Sequence, residues 1–306
     1  MGENVICNLC DNPGSYADAS EIRAVASHVR CFRNDIFTVW RCNNCRSLHS
    51  KEEVDLDYYY AHYPFKNHRL DYHAKIGYGN RLKLLRKNGV KRDATILDYG
   101  CGQGVYVKFL RERGFRNVQG WDPFIAEFND QAVLENRYDV VTSHDVIEHV
   151  EDPEQYLSQL VSLVKEGGLL VLGTPNASEI NLIDPTIPCV ELSQPYHRHI
   201  FSKEALLRMT TRFGLVPQHV YNRFYFDSFF PAVNTRFMWS YVEAKQGIID
   251  VAVEPPDLRT ILLSPKLIFY ALFGYFFRVP GNILLHLKRQ DVGSLGLTQD
   301  KQVGNM

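Results

Sequence analysis

The 306-residue sequence has no excess of charge of either sign: 34 basic residues stand against 35 acidic ones, a formal net charge of −1. A chain so balanced has no overall field to draw it onto a phosphate backbone, so nucleic acid is not an expected partner. A long hydrophobic run is missing too. The most apolar stretch, residues 267–277 between Lys266 and Arg278, has 11 residues, whereas a spanning helix needs about 20. The opening Met1-Gly2-Glu3-Asn4 carries neither the positive nor the apolar segment of a secretory signal. Ile6 stands where a myristoylation signal has Ser or Thr. These absences make the cytoplasm the expected location. Hydrophobic residues make up 45% of the chain and charged residues 23%, enough apolar surface to offset the entropy of ordering, which excludes a disordered protein.

Cysteine is sparse and odd in number: Cys7, Cys10, Cys31, Cys42, Cys45, Cys101 and Cys189. An odd set in a chain of this kind argues against a disulfide framework. Four of them form two pairs, Cys7-Asn-Leu-Cys10 and Cys42-Asn-Asn-Cys45, each placing two thiolates on a tight turn. Two such knuckles suit tetrahedral, structural Zn²⁺, whereas a redox Cys-x-x-Cys needs one pair beside a βαβ unit. Cys31, between the pairs, is a spare thiol or a substitute ligand. Residues 1–50 hold five arginines, Arg23, Arg30, Arg33, Arg41 and Arg46, against Glu3, Asp11, Asp18, Glu21 and Asp35. With no phosphate-seeking patch, the module reads as a folding staple and one wall of a substrate site.

Residues 51–65 are acidic and then tyrosine-rich, with Tyr58, Tyr59, Tyr60, Tyr63 and Phe65. These rings either pack against the next domain or line a pocket. The spacing predicts a helix over 66–88 with Tyr78, Leu82 and Leu85 on one face, stopped by Gly89. Residues 94–98 then read as a buried strand, followed by Asp98-Tyr-Gly100-Cys-Gly102-Gln-Gly104 and a helix over 105–113. Strand, glycine-rich turn and helix make a nucleotide-type edge at the carboxyl end of a parallel sheet. The dinucleotide fingerprint Gly-x-Gly-x-x-Gly is not met, because the third glycine comes one residue early. Asp98, two residues before the first glycine, is a poor neighbour for a pyrophosphate but suits an ammonium. A second strand ends in Trp121-Asp122-Pro123, with Asp122 22 residues after Gly100, where a carboxylate can accept ribose hydroxyls.

These elements, with Tyr138-Asp-Val-Val-Thr-Ser-His-Asp-Val-Ile-Glu-His-Val150 and Val164-Lys-Glu-Gly-Gly-Leu-Leu-Val-Leu-Gly-Thr-Pro-Asn176, resemble the class I S-adenosylmethionine (SAM)-dependent methyltransferases over residues 90–223 and again over 281–289. The resemblance implies an α/β, Rossmann-like sheet of seven strands with the last antiparallel. It implies that Asp98, Gly100, Gly102 and Gly104 surround the methionine moiety, that Asp122 with Pro123 takes the ribose, and that His144 and Asp145 pass close to the cofactor. Only 15 residues separate Asp122 from Tyr138, so the third strand and its helix are expected to be short, with Asp130 the candidate at the adenine amine.

Methyl transfer to a hydroxyl requires a positioned base, and two segments offer one. On a helix, Asp145, Glu148 and His149 would share a face and either hold a divalent ion, resembling the Glu-x-x-Glu-His element of ubiquinone-type O-methyltransferases, or organise the loop. In the other segment, His197 and His199 precede Ser202, a helix cap, and resemble a His-x-His segment of the family; one is the expected base and the other structural. Between a sixth strand, 215–223, and a seventh, 282–288, about 58 aromatic-rich residues intervene, far more than a hairpin needs. Residues 261–277 within them are apolar nearly all round: a helical lid, a homodimer face, or a shallow membrane contact.

The expected organisation is a four-cysteine zinc module over 1–50, a linker and helix over 51–93, a core over 94–223, a lid or interface insertion over 224–280, a final strand over 281–290 and a flexible tail over 291–306. The expected function is methylation of a small-molecule or carbohydrate acceptor, preferably on oxygen. Zinc knuckles before such a core also resemble sugar C-methyltransferases, whose further C-terminal domain has no counterpart here. N-methylation, a non-catalytic SAM or zinc module and a nucleic-acid methyltransferase are the competing readings, the last opposed by the neutral module and by Ser143-His144-Asp145-Val146 where an Asn/Asp-Pro-Pro-aromatic element would stand.

Overall fold

Near-continuous apolar runs such as Leu169-Leu-Val-Leu172 belong in strands covered on both faces, and that is where the fold puts them. The computed structural model describes residues 5–67, 69–184 and 190–290; Cys189 and the tail over 291–306 lie outside the described residues. In chain order the elements are β1 (Ile22–Ala26), β2 (Ile36–Arg41), β3 (Leu48–Ser50), α1 (Leu56–Tyr60), α2 (Tyr72–Lys87), β4 (Ile96–Tyr99), α3 (Val105–Glu112), β5 (Val118–Trp121), β6 (Tyr138–His144), α4 (Pro153–Leu163), β7 (Val164–Pro175), β8 (His199–Ile200), α5 (Lys203–Arg212), β9 (Leu215–Tyr221), α6 (Thr235–Ala244), α7 (Leu258–Leu262), α8 (Pro265–Phe273) and β10 (Asn282–Arg289).

The larger sheet has the order β5-β4-β6-β7-β10-β9. β5, β4, β6 and β7 run parallel, and β10 is antiparallel to both neighbours, as expected of the last strand. Among the described residues this sheet has six strands rather than seven. The 15 residues between Asp122 and Tyr138 are too few for a strand and a covering helix, and they fold as two short 3-10 turns, Ala126–Phe128 and Gln131–Glu135. Alternate strand residues feed two cores. Ile96, Val140, Val171 and Leu284 meet α2 and α3 on one face, while Leu97, Val141, Leu170, Leu172 and Leu285 meet α4 and α5 on the other.

Helix starts follow capping chemistry. Asp71 accepts from the Ala74 amide at 2.8 Å, so α2 begins six residues later than the pattern over 66–88 suggests. Ser202 caps α5 at Ala205 as expected. Asp152 caps α4 with Pro153 in its first turn.

The second sheet, β1-β2-β3-β8, joins the N-terminal module to the core, because β3 pairs with β8 from far along the chain. Arg41 reinforces the seam. Buried beside Glu21 at 2.7 Å, it donates to the carbonyls of Arg46, Ala177 and Ile180. A module of about fifty residues has a small core of its own, and this one leans on the larger domain through β8 and Arg41. Residues 261–277 are not one helix: Ser264 caps a new start at Pro265. Phe237, Tyr241 and Leu267 of the insertion pack with Phe32 and Tyr196, and Tyr59, Tyr60 and Tyr63 border that cluster.

His286 sits in the middle of β10, 1% exposed, accepting from Asn88 Nδ2 at 2.7 Å. Burial, with His219 nearby, lowers its pKa from 6.5 to about 4. The unfolded chain therefore binds the extra proton between those values, and stability is lost as pH falls from about 6.5 toward 4. Urea denaturation is predicted to show about 2 kcal/mol lost through this group between pH 7 and pH 5, with His286→Gln flattening the slope. An unchanged slope in that variant would contradict the assignment.

Candidate functional site

The carboxyl ends of β4, β5 and β6 bring the first set of residues together. Asp98, buried at the end of β4, accepts from Thr142 Oγ1 at 2.6 Å and lies 3.8 Å from the Arg81 guanidinium. Burial raises its pKa, while Arg81 and Thr142 oppose the rise. Gly100, Gly102 and Gly104 have φ of 75°, 52° and 65°, a region that side-chain-bearing residues rarely adopt. A Cβ would strike Val146 at Gly100 and the Phe128 ring at Gly104, at 2.5 and 2.2 Å; at Gly102 it would meet open space. Gly102 is therefore where a ligand can approach the backbone. Asp122 faces the same loop, its two oxygens accepting from the Gly102 and Phe124 amides at 2.9 and 3.0 Å. Pro123 is exposed beside it. Asp130 caps its own 3-10 turn at Ala132, which gives no support to an adenine role.

Arg81 was not among the expected site residues. It shares the buried face of α2 with Tyr78 and Leu85, 3.8 Å over the Tyr106 ring, and donates to His144 Nδ1 at 2.5 Å. The available signal was a lone cation on an otherwise apolar helix face. Burial and this charge hold the His144 imidazole neutral. Arg81 Nε, His144 Nε2, Tyr106 Oη and Trp121 Nε1 are all buried without a hydrogen-bond partner, unusual for polar atoms. Asp145 is exposed, has φ of 55° and accepts from Tyr225 of the insertion.

Residues 145–149 form a turn, not a helix, and this corrects the expected grouping. The positive φ of Asp145 breaks the chain direction, and α4 starts only at its Asp152 cap. Glu148 and His149 are joined instead by His197, from the loop after β7, with ligand atoms all within 4.8 Å of one another. His197 Nδ1 donates to the Glu191 carbonyl at 2.6 Å. His149 Nδ1 lies 3.0 Å from the Tyr196 carbonyl and 2.8 Å from Tyr60 Oη. With Nδ1–H on a carbonyl, each ring presents its Nε2 lone pair, and both Nε2 atoms lie 4.0 Å from Glu148 Oε1. That oxygen is fully buried and unpartnered; its twin accepts from Thr174 at 2.9 Å. Three electron-pair donors thus converge, with each imidazole anchored through its other nitrogen as metal-bound histidines are. The arrangement can take a proton or a divalent cation. Tyr60 also stacks on Phe124, ring centroids 6.4 Å apart, and so links this group to the Asp122 loop.

His199 does not join the group. It is buried in β8, and its Nε2 donates to the Ile147 carbonyl at 2.9 Å, which makes it a structural histidine. The two cysteine pairs do come together: the Sγ atoms of Cys7, Cys10, Cys42 and Cys45 cluster, Cys7 lying 3.7 Å from Cys10 and 3.6 Å from Cys45. A tetrahedron with metal–sulfur bonds of about 2.3 Å has edges of about 3.8 Å, so the set fits a zinc ion. Cys31 is exposed and is not in the cluster. A depression of about 330 Å³ bordered by Asn88, Lys91 and Asp139 lies at the amino ends of β4 and β6, the wrong end for a ligand in an open α/β sheet.

A family model described as a methyltransferase domain matches residues 70–220. The ubiquinone biosynthesis O-methyltransferase of Rickettsia typhi is 33% identical over 132 residues, covering 37% of this chain and 52% of the relative. That of Colwellia psychrerythraea is 33% identical over 114 residues, covering 30% and 46%. The chain thus spans about half the length of these relatives. The solved phosphoethanolamine N-methyltransferase 2 of Haemonchus contortus is similar at 14% identity and a TM-score of 0.41, over 68% of this chain and 51% of the other.

Elemental analysis of the purified protein is predicted to find one zinc per chain at the four-cysteine cluster. Cys42→Ser should release it and lower thermal stability, since a structural site contributes its binding energy to folding. A wild-type protein that folds with no metal would contradict this.

Proposed function

We propose that this chain, whose residues 70–220 belong to the methyltransferase-domain family, transfers the methyl group of SAM to an oxygen of a small-molecule or carbohydrate acceptor. One observation carries the reading: Tyr60 touches the Glu148-His149-His197 group at His149 and, through Phe124, the Asp122 loop that borders the open Gly102 backbone. Gly102, Asp98 and Asp122 suit a ligand with an ammonium and ribose hydroxyls and no phosphate, and Arg81, with Nε unpartnered, is the cation at hand for a carboxylate. SAM, when bound, supplies an electrophilic methyl group on a sulfonium.

The chain's own tasks are orientation and deprotonation. His149, next to Tyr60, is assigned as the acceptor of the hydroxyl proton. Its Nδ1 anchorage keeps Nε2 available, and Glu148 is positioned to stabilise the imidazolium that forms. His197 completes the pocket wall. The two anchored imidazoles and the orphan Glu148 oxygen favour a second reading, in which all three hold a divalent cation that would lower the hydroxyl pKa. The names of the curated relatives support oxygen as the acceptor atom, and the zinc module supports this wall through β3 and β8.

The test is transfer of labelled methyl from SAM to a panel of phenol and sugar hydroxyls. Wild-type protein is predicted to give a methyl ether. Glu148→Gln should lower kcat by more than about 100-fold while affinity for S-adenosylhomocysteine stays within about twofold. Activity that depends on added Mg²⁺ would select the cation reading; activity without it would select the base. Transfer only to nitrogen or carbon, or full activity in Glu148→Gln, would contradict the proposal.

A further inference from the structure

The insertion ends in a surface that the fold leaves uncovered. Leu262, Leu263, Phe269, Leu272, Phe273 and Phe276 are all exposed, Leu263 by 73% and Phe276 by 74%. This is a second face of a well-held element, not a poorly packed one. Leu267 is buried among Phe237 and Tyr241, and the Ala271 carbonyl accepts from the Ala232 amide at 2.8 Å. Asn234 Nδ2 donates to the Tyr270 carbonyl at 2.9 Å, and Gly274 packs so close to Asn234 that a Cβ would stand 2.1 Å from it. Contiguous apolar surface of this kind marks an interaction site.

The rim says what covers it. Residues 258–278 contain Arg259, Lys266 and Arg278 and no acidic residue. Lys266 pairs with Glu243, Arg278 with Glu179 and Lys245 with Asp257, so these charges offset one another and the excess positive charge of the rim is that of Arg259 and Arg236. Among the described residues neither Arg259 nor Arg236 has an acidic partner; Arg236 donates to the carbonyls of Phe277 and Arg278 and lies over the Tyr270 ring. An isologous dimer would set this cationic rim against its own copy. No helix among the described residues is long and apolar enough to cross a membrane, but short helices with exposed phenylalanines and leucines beside cations can lie in the plane of an interface. We propose that α7, α8 and the turn after them dock this protein onto the surface of an anionic lipid bilayer, with Leu263, Phe273 and Phe276 entering the headgroup boundary. Docking does not depend on the chemistry assigned to the cleft. It places against lipid a helix whose inner side borders the same cluster as Tyr60 and Tyr196, one layer behind the acceptor wall.

Flotation with phosphatidylcholine vesicles containing phosphatidylglycerol tests this on the full chain. The wild type is predicted to float with the vesicles. Leu263→Glu combined with Phe276→Glu should lower its partition coefficient by more than about tenfold, at an unchanged melting temperature because both side chains are exposed. Failure of the folded wild type to float would overturn the proposal. So would a dimer in light scattering that the same substitutions dissociate while vesicles capture neither protein. Equal partition onto phosphatidylcholine alone would overturn the anionic preference.

Discussion

The buried Arg81 guanidinium is the interaction on which the cofactor edge depends. It spans from α2 to Asp98 at the end of β4 and His144 at the end of β6, with Tyr106 of α3 beneath it. Remove it and Asp98 becomes an uncompensated buried carboxylate, a costly state. Keep it and the two strand ends are fixed relative to the glycine loop between them. The left-handed glycines, the Asp122 carboxylate and the unpartnered donors around them gain their arrangement from this frame, since a loop can be held open toward solvent only if its flanking strands are rigid.

A second constraint operates from the opposite side. The paired cysteine knuckles fold β2 and β3, β3 takes β8 as its partner, and β8 begins two residues after His197. Arg41 ties the same sheet to the carbonyls that follow β7. The four-cysteine module is thereby coupled to the core through the β3–β8 pairing. It fixes the loop that delivers His197 to Glu148 and His149, while His199, the next histidine along, is consumed in the seam.

Legibility followed locality. The glycine loop, Asp122 and the cysteine pairs were readable because each depends on neighbouring residues: a turn that demands positive φ, a strand end, a two-residue knuckle. The short distance between Asp122 and Tyr138 was readable as a shortened third strand but not as its loss, which leaves six strands among the described residues where seven were expected. What was not readable depended on strand order. Glu148 meets His197 because β6 and β7 are neighbours whose carboxyl ends open on the same edge, and sequence spacing alone suggested Asp145 as the partner. The helix expected there was displaced by the positive φ of Asp145 and by the Asp152 cap. Arg81 left one faint signal, a cation on an otherwise apolar helix face, and its role stayed hidden because its partners come from three other elements.

The edge formed by Gly102, Asp122 and Arg81 is proposed as the SAM site. Calorimetric titration of the zinc-replete protein with S-adenosylhomocysteine, beside an Asp122→Ala variant, tests it most directly. Micromolar binding by the wild type is expected, weakened about 10- to 100-fold in the variant by loss of charged hydrogen bonds to ribose. No heat of binding from a folded wild type, or equal affinity in the two proteins, would contradict it.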